Sequence, residues 1–331
     1  MKMILQLLIA FIVSLIVTAA VGYFLVPALS RAKAGQSIRQ DGPIWHSGKQ
    51  GTPIMGGLMF IAGITITCLV VGFRSMLAGD FRHIFILTFA LVFAAIGFLD
   101  DYEKLRKKQN LGLKVKQKFL LQLIVSLAFV ALMRLTGNLS SSLYIPFFDI
   151  SASIPEPIYI VFAAFVAVGT VNAVNITDGV DGLASGVTLP VAIWFGTVAG
   201  ILGYLSLGVF AAALAGGLIA FLFYNFHPAK VFMGDTGSLF LGGAVCAMAF
   251  ALDLPLILIP LGIVYFVETL SDIIQISYFK ITKGKRVFKM APIHHHFEMC
   301  GWSEYKLFAV FTTVSAIFAV ISYFGVLGRF A

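Results

Sequence analysis

Long runs of apolar residues alternate along this chain with short polar segments. A helix needs about 20 apolar residues to cross the hydrocarbon core of a bilayer. Ten runs approach or exceed that length: 3–29, 54–73, 82–99, 119–136, 157–175, 183–202, 205–225, 238–254, 256–279 and 307–328. The pattern predicts an all-α polytopic integral membrane protein with about ten transmembrane helices. Because neither an internal repeat nor a low-complexity linker divides the chain, we expect one transmembrane domain, 1–331.

Basic residues are distributed unevenly between the segments that separate these runs. Segments 30–53, 101–118, 226–237 and 280–306 contain 18 of the 23 Lys and Arg residues. The positive-inside rule places these segments in the cytoplasm and both termini outside. Only 11% of the residues are charged, against about 25% in soluble domains, which excludes a soluble or disordered protein. The net charge of +8 therefore favours anionic lipid headgroups, not nucleic acid, as its surroundings.

The ninth run, 256–279, differs from the others because its second half contains Glu268, Ser271, Asp272 and Gln275. A charged residue at the bilayer centre costs at least about 2.5 kcal/mol on insertion scales. We therefore predict that this helix bends or breaks near Glu268 and that its second half lies amphipathically along the interface. The alternative is a straight, tilted helix whose acids face the interior of the helix bundle.

The longest predicted outside segment, 137–156, has a different pattern. Apolar residues alternate at Leu143, Ile145 and Phe147, with a period of two that is typical of a strand. We expect a short extracytoplasmic hairpin there and assign it no chemistry.

Acids, amides and histidines collect at the predicted cytoplasmic ends of the spans. They come from four separate segments: Asp100, Asp101, Asn172, Asn175, Asp178, Asp181, Asn225, His227, Asp235, His294, His295 and His296. Carboxylates are suitable ligands for Mg²⁺, which often bridges to a substrate phosphate. A metal among acids and cations is typical of phosphoryl transfer. The pattern indicates transfer of an anionic, water-soluble group to a lipid headgroup at the membrane surface.

Individual acids in this set have simpler structural interpretations. Asp100 can pair with Lys104 at i+4, and adjacent Asp100 and Asp101 point about 100° apart on a helix, which disfavours one chelating face. Asp235 is either a helix N-cap or a metal ligand beside phosphate at a helix N-terminus. Both interpretations of Asp235 stay open at this point.

The triple histidine at 294–296 does not have the spacing of a zinc site. Phosphate contact or proton transfer is the more plausible role for one or two of these side chains. The amides Asn172 and Asn175 have a simpler interpretation as hydrogen-bonding groups between helices.

Several of these residues fall in motifs that are specific in combination. They are KQGTP at 49–53, MGG at 55–57, DDYEK at 100–104, NAVNITDGVDGL at 172–183, FMGDTGS at 232–238 and PIHHHFE at 292–298. Over essentially its whole length the chain resembles the polyprenyl-phosphate N-acetylhexosamine-1-phosphate transferases. The unbroken triple histidine is most similar to the muramoyl-pentapeptide branch of that family.

The resemblance implies a reaction. The donor would be UDP-MurNAc-pentapeptide and the acceptor undecaprenyl phosphate, and the products would be lipid I and UMP in the first membrane step of peptidoglycan synthesis. It further implies Mg²⁺ as cofactor, a homodimer, and a lipid groove beside the bent ninth helix. The enzyme would lie in the bacterial cytoplasmic (inner) membrane with its active site on the cytoplasmic face.

The resemblance also implies roles for matching residues. Asp235 would be the Mg²⁺ ligand, and Asp100 would be the base that deprotonates the lipid phosphate, with Asp101 close by. Asn175 and Asp178 would organise the polar site. Contacts to the uridine end would come from Lys49, Asp181, Phe232 and Gln275. Contacts to phosphate or to the sugar-peptide portion would come from Lys104, Lys116, His294 (also a catalytic candidate) and His295.

Asn172 and Asn225 complete the set of substrate-binding candidates. The chain departs from the family pattern at Ile54, where we expect Thr, and this change removes a hydroxyl on the nucleotide side. Two other functions compete with this interpretation. One is a related transferase that uses another UDP-sugar, and the other is a membrane transporter, since polar breaks in helices are transporter features.

Overall fold

In the computed structural model, residues 2–32, 49, 51–107, 109, 111–137 and 139–329 are described. Lys33, Arg39, Gln50 and Lys108, which belong to the predicted basic loops and motifs, lie outside these residues. The helices are α1 (Lys2–Arg31), α2 (Gly57–Val70), α3 (Phe73–Leu77), α4 (Arg82–Lys107), α5 (Val115–Leu135), α6 (Glu156–Thr177), α7 (Leu183–Ile201), α8 (Leu205–Asn225), α9 (Gly234–Ala251), α10 (Leu258–Leu261), α11 (Ile263–Ile281), α12 (Ile293–Glu298) and α13 (Glu304–Phe324).

Eight helices in the described ranges are long and apolar enough to cross a membrane, and a bent pair adds a ninth candidate span. The predicted all-α polytopic fold is therefore confirmed. The predicted span 54–73 is realised differently, because α2 has only 14 residues and is followed, after a turn, by the short helix α3. Ten apolar elements are thus present, but one of them is shorter than the roughly 20 residues of a full crossing.

The centre of the bundle is formed by α8 and α9, whose apolar stretches are 78% and 83% buried, whereas that of α1 is 17% buried. Small residues let the central helices approach closely. One such close approach is between α4 and α9, where a Cβ atom at Gly97 would overlap the backbone carbonyl of Asp235. This contact brings the C-terminal part of α4 directly against the start of α9.

The predicted bend of the ninth span is confirmed, with an angle of 81° between Pro255–Leu261 and α11. The bend lies at Gly262 and not near Glu268, so its predicted position was wrong. Glu268 remains helical because its carboxylate pairs with His294 inside the protein and so avoids lipid. The second half of α11 exposes apolar side chains, including Ile273 and Ile276, as expected of an interfacial helix.

The predicted hairpin is also present. β1 (Ser142–Ile145) and β2 (Ile150–Ser153) pair antiparallel, with Ser142 opposite Ser153. The turn between them is joined to the end of α13, because the backbone N–H of Phe147 donates to the carbonyl of Gly325 at 2.9 Å.

Candidate active site

Helix α4 continues to Lys107, eight residues beyond the predicted end of its apolar run, and so Asp100, Asp101 and Lys104 lie on one helix. The Nζ atom of Lys104 lies 2.7 Å from Asp100 Oδ2, which is the i+4 pair expected from the sequence. The same Nζ lies 2.9 Å from Asp235 Oδ2 on α9. Lys104 therefore links acids of two helices.

Asp101 binds the N-terminus of α9. Its Oδ1 accepts from Asp235 N at 3.1 Å, and its Oδ2 accepts from Thr236 N at 2.9 Å and from Thr236 Oγ1 at 2.7 Å. The first N–H groups of a helix have no partner inside the helix, and Asp101 satisfies two of them. The preceding residue, Gly234, has φ +73, and a Cβ there would lie 2.6 Å from Asp101 Oδ2.

Asp235 is not an N-cap, because it lies inside the first turn of α9 and its side chain binds other elements. Its Oδ2 accepts from Lys118 Nζ at 2.8 Å in addition to Lys104. Its Oδ1 accepts from Asn175 Nδ2 at 2.8 Å. Asn175 also donates to Ser238 Oγ at 2.8 Å, which fixes the amide on α6 against α9.

We name Asp100, Asp101, Asp235, Lys104 and Lys118 the carboxylate cluster. One oxygen from each aspartate lies within 4.8 Å of the others. Although Asp100 and Asp101 point in different directions on α4, each places an oxygen near Asp235, which comes from a second helix.

The donor set of this cluster fits a hard divalent cation such as Mg²⁺, which takes carboxylate oxygens. The carboxylates of Asp235 and Asp100 already bind the ammonium groups of Lys104 and Lys118. Their oxygens therefore attract positive charge. Asp101 fits less well, because both of its oxygens already accept bonds from α9.

A second group of charges, which we name the Lys49 cluster, contains Lys49, Asp181, His227 and Glu304. Lys49 Nζ lies 2.8 Å from Asp181 Oδ1 and 2.6 Å from Glu304 Oε2. His227 Nδ1 lies 2.9 Å from Asp181 Oδ2 and 3.3 Å from Glu304 Oε1. The cluster joins four segments that are remote in sequence.

Asp178 follows the last residue of α6 and lies between the two clusters. Burial, and then the carboxylates of Asp235, Asp101 and Asp181, raise the pKa of Asp178 well above its ordinary value. The ammonium group of Lys104 acts in the opposite direction but more weakly than these three carboxylates.

Two predicted substrate-binding amides have partners within the protein. Asn172 donates from Nδ2 to Gln122 Oε1 at 2.7 Å, which joins α6 to α5. Asn225 accepts from Gly182 N at 3.1 Å and donates to Val231 O at 2.9 Å, and so it connects the α6–α7 turn to the segment before α9.

Two other substrate-binding candidates lie outside the carboxylate cluster. Lys116 is exposed, and the lysine of α5 that reaches the carboxylate cluster is Lys118. Gln275 binds the segment after α11: its Oε1 accepts from Val287 N and Phe288 N, both at 3.0 Å, and its Nε2 donates to Phe288 O at 3.1 Å.

The remaining candidates surround these clusters. Phe232 is half-buried, and its backbone accepts from Gly56 N and donates to Pro53 O, which holds the 53–57 segment against the start of α9. His294 pairs with Glu268, and Nδ1 of His295 lies 2.5 Å from Glu298 Oε2.

An apolar groove of about 820 Å³ runs between α5 and α6 and ends at the carboxylate cluster. Its walls include Phe119, Val161 and Phe165, which are 52%, 68% and 75% exposed, so the groove opens onto the lipid-facing surface. At its inner end lie the polar side chains Asp100, Lys104, Lys118, Gln122 and Asn172.

The sequence of this chain is similar to those of known transferases. The family model "Glycosyl transferase family 4" matches residues 83–253. A phospho-N-acetylmuramoyl-pentapeptide-transferase of Clostridium botulinum (strain Alaska E43 / Type E3) is 47% identical over 305 residues, which are 91% of each chain. The chain belongs to the phospho-N-acetylmuramoyl-pentapeptide transferase family. Transferases of the same name from Clostridium perfringens (strain 13 / Type A) and Caldanaerobacter subterraneus subsp. tengcongensis are 46% and 43% identical, over 96% and 97% of this chain and 98% and 99% of theirs.

The structure adds residues to this site that the sequence analysis did not select as site candidates. Lys118, Gln122, Glu268 and Glu304 all contact predicted site residues, as does His227, which the sequence analysis had already placed among the polar residues at the span ends. Lys118 and Gln122 lie one turn apart on α5, and this i, i+4 spacing at the polar end of an apolar helix was the signal available in the sequence. Glu304 gave no such signal, because a Glu in the first turn of a helix is common.

Proposed function

We propose that this protein transfers phospho-MurNAc-pentapeptide from UDP-MurNAc-pentapeptide to undecaprenyl phosphate and forms lipid I and UMP. The observation that carries the proposal is the apolar groove that ends at Asp100, Lys104 and Lys118. A polyprenyl chain fits an apolar channel open to lipid, and its phosphate fits the two ammonium groups at the inner end. The names of the curated relatives supply the sugar and peptide portions of the donor.

In a single-step transfer, one phosphate oxygen of the acceptor attacks the sugar-bearing phosphorus of the donor, and the alternative is a covalent enzyme intermediate. The new P–O bond forms as the bond from that phosphorus to the UMP oxygen breaks. Lys104 and Lys118 hold the acceptor phosphate beside Asp100. The Asp100 carboxylate is placed to take the proton of a monoprotonated lipid phosphate, which makes its oxygen a better nucleophile.

Mg²⁺ is the cofactor that best fits the oxygen donors of Asp235 and Asp100, and when bound it neutralises charge on the donor diphosphate. Asn175 orients Asp235 through its 2.8 Å hydrogen bond. Asp101 positions the same residue by holding the N-terminus of α9.

The Lys49 cluster is the candidate site for the uridine end of the donor, on the other side of Asp178. We propose that the enzyme is a homodimer in the bacterial inner membrane, with both clusters on the cytoplasmic face. It would supply the first membrane intermediate of peptidoglycan, and cell shape and cell division would depend on it.

The test is release of UMP by the purified protein in detergent, with UDP-MurNAc-pentapeptide and undecaprenyl phosphate, with and without Mg²⁺. Release that needs both the lipid and the metal supports the proposal. If UMP is released from a different UDP-sugar and not from UDP-MurNAc-pentapeptide, the protein is a related transferase. If a folded protein releases no UMP with any UDP-sugar, the transferase function is contradicted and the membrane transporter becomes the favoured alternative.

A further inference from the structure

The side chains of Glu268 and His294 form a pair inside the protein. Glu268 lies on α11 and His294 on α12, and Nδ1 of the imidazole lies 2.9 Å from Oε2 of the carboxylate. Their side chains are 0% and 1% exposed. A buried carboxylate without a partner is costly, so a proton on Nδ1 that is donated to Oε2 stabilises both groups.

The other ring nitrogen is buried but has no hydrogen-bond partner among the described residues. It faces the turn after α6: a Cβ atom at Gly179 would overlap His294 Nε2. Gly179 directly follows Asp178, whose pKa responds to Asp235 and Asp101 of the carboxylate cluster. The free nitrogen therefore lies beside the turn that joins the two charged clusters.

We propose that Glu268 is a positioning residue of the transfer reaction, which holds His294 so that Nε2 is presented to a phosphate of the donor substrate. The proposal rests on the function proposed above. When both ring nitrogens carry a hydrogen, Nδ1–H donates to the carboxylate of Glu268 and Nε2–H is available to a phosphate oxygen. Nε2–H then donates to a phosphate oxygen, while Glu268 fixes the ring orientation, as carboxylates commonly do for functional histidines.

The position of the pair also explains why α11 carries an acid in an apolar stretch. Glu268 lies in the second turn after the 81° bend, and its side chain is buried against His294 of α12. The bent ninth span therefore carries the carboxylate that binds His294. Its apolar second half lies further along the same helix.

The first test measures the imidazole and needs no substrate. Protein with ¹⁵N-labelled histidine rings is compared as wild type, Glu268→Ala and His294→Gln, the last to assign the His294 signals. We expect a protonated Nδ1 on His294 in the wild type and a mixture of protonation states in Glu268→Ala. An unprotonated Nδ1 in the wild type, or signals unchanged by Glu268→Ala, would overturn the proposal.

The second test is kinetic and uses a donor that the wild type turns over. Glu268→Ala should lower kcat about 100-fold, as for removal of one donor to a transition-state oxyanion, with KM for both substrates nearly unchanged. The double variant Glu268→Ala/His294→Ala should be no slower than His294→Ala alone. Multiplied losses in the double variant would show that Glu268 does not act through His294.

Two further variants keep the kinetic test interpretable. Glu268→Gln preserves shape and an acceptor oxygen, and it should lose less than Glu268→Ala, about 10-fold, even if the alanine variant folds poorly. Asp272→Asn removes an acid one turn further along α11 and should retain wild-type kcat. An equal loss in Asp272→Asn would show that removal of any acid from this part of α11 lowers kcat, and would overturn the specific role of Glu268. If UDP-MurNAc-pentapeptide proves not to be the donor, the ring measurement still decides the relation between Glu268 and His294.

Discussion

Asp101 Oδ2 accepts a hydrogen bond from the backbone N–H of Thr236 at 2.9 Å, across the contact between α4 and α9. Its neighbour Asp100 makes a different set of contacts, with Lys104 and with the backbone N–H of Leu113. The two adjacent acids thus make separate sets of contacts. One fixes the start of a helix, and the other faces the groove in which we place the acceptor lipid.

This difference predicts different outcomes for the two isosteric variants. Asp101→Asn turns an amide N–H against the N–H groups of α9 and should lower the free energy of unfolding by about 1–3 kcal/mol. Asp100→Asn should abolish UMP release while the thermal transition stays near that of the wild type. Thermal melts in detergent and UMP release measure the two effects. An Asp100→Asn protein with near-normal turnover would contradict the base assigned here.

The contact between Lys118 and Asp235 predicts a strong effect at a position that the sequence did not select. Lys118→Gln should lower turnover by at least about 10-fold, because charge-assisted hydrogen bonds contribute about 1.5–3 kcal/mol. Lys116→Gln should have a smaller effect, since Lys116 is exposed. Lys107→Gln, which loses only an exposed pair with Glu103, is the matched control and should retain full activity. Equal losses in all three would indicate a general effect of loop charge.

The groove between α5 and α6 predicts a selective effect on the acceptor. Gly169 lines it, and a Cβ atom there would meet no heavy atom within 4 Å, so a larger side chain enters open space. Gly169→Leu should raise KM for undecaprenyl phosphate and leave KM for the nucleotide sugar unchanged, whereas Gly169→Ala should have little effect. Steady-state kinetics with each substrate varied in turn make the test. An increase in the nucleotide KM alone would remove the groove from the acceptor site.

Gln275 predicts a change in loop order. All its amide contacts are to the backbone of Val287 and Phe288, so Gln275→Ala releases this segment. Hydrogen exchange of residues 283–290 should become faster in the ligand-free protein, while the hairpin 142–153 serves as the internal reference. KM for the nucleotide sugar should rise if the segment borders the uridine site. Unchanged exchange would show that the loop is held by other contacts.

Much of the fold follows from the sequence because span length and loop charge are set by the bilayer. The site was predictable as a set of residue types on one side of the membrane, but its pairings were not. Lys116 and Lys118 lie about 200° apart around a helix, so only one of them can face the cluster, and packing of α5 against α4 and α6 decides which. The partner of Asp101 is a backbone N–H on another helix, which no side-chain pattern reveals.

The bend in α11 shows a related limit. The free-energy cost of a charged side chain in lipid predicted a bend near Glu268. The helix instead bends at Gly262 and remains regular at Glu268. The cost of the carboxylate is offset by His294, which lies 26 residues further along the chain. A pair of this separation is visible only after folding.

The close approach at Gly97 has a consequence for how such an enzyme changes over time. The backbone of α4 lies against the carbonyl of Asp235, so the spacing between the acids of α4 and α9 is fixed by helix packing inside the membrane. The Lys49 cluster and the histidine segment, in contrast, are carried largely by connecting segments. Exchange of those segments between relatives can therefore alter which nucleotide sugar is accepted, while the machinery for phosphoryl transfer is inherited intact.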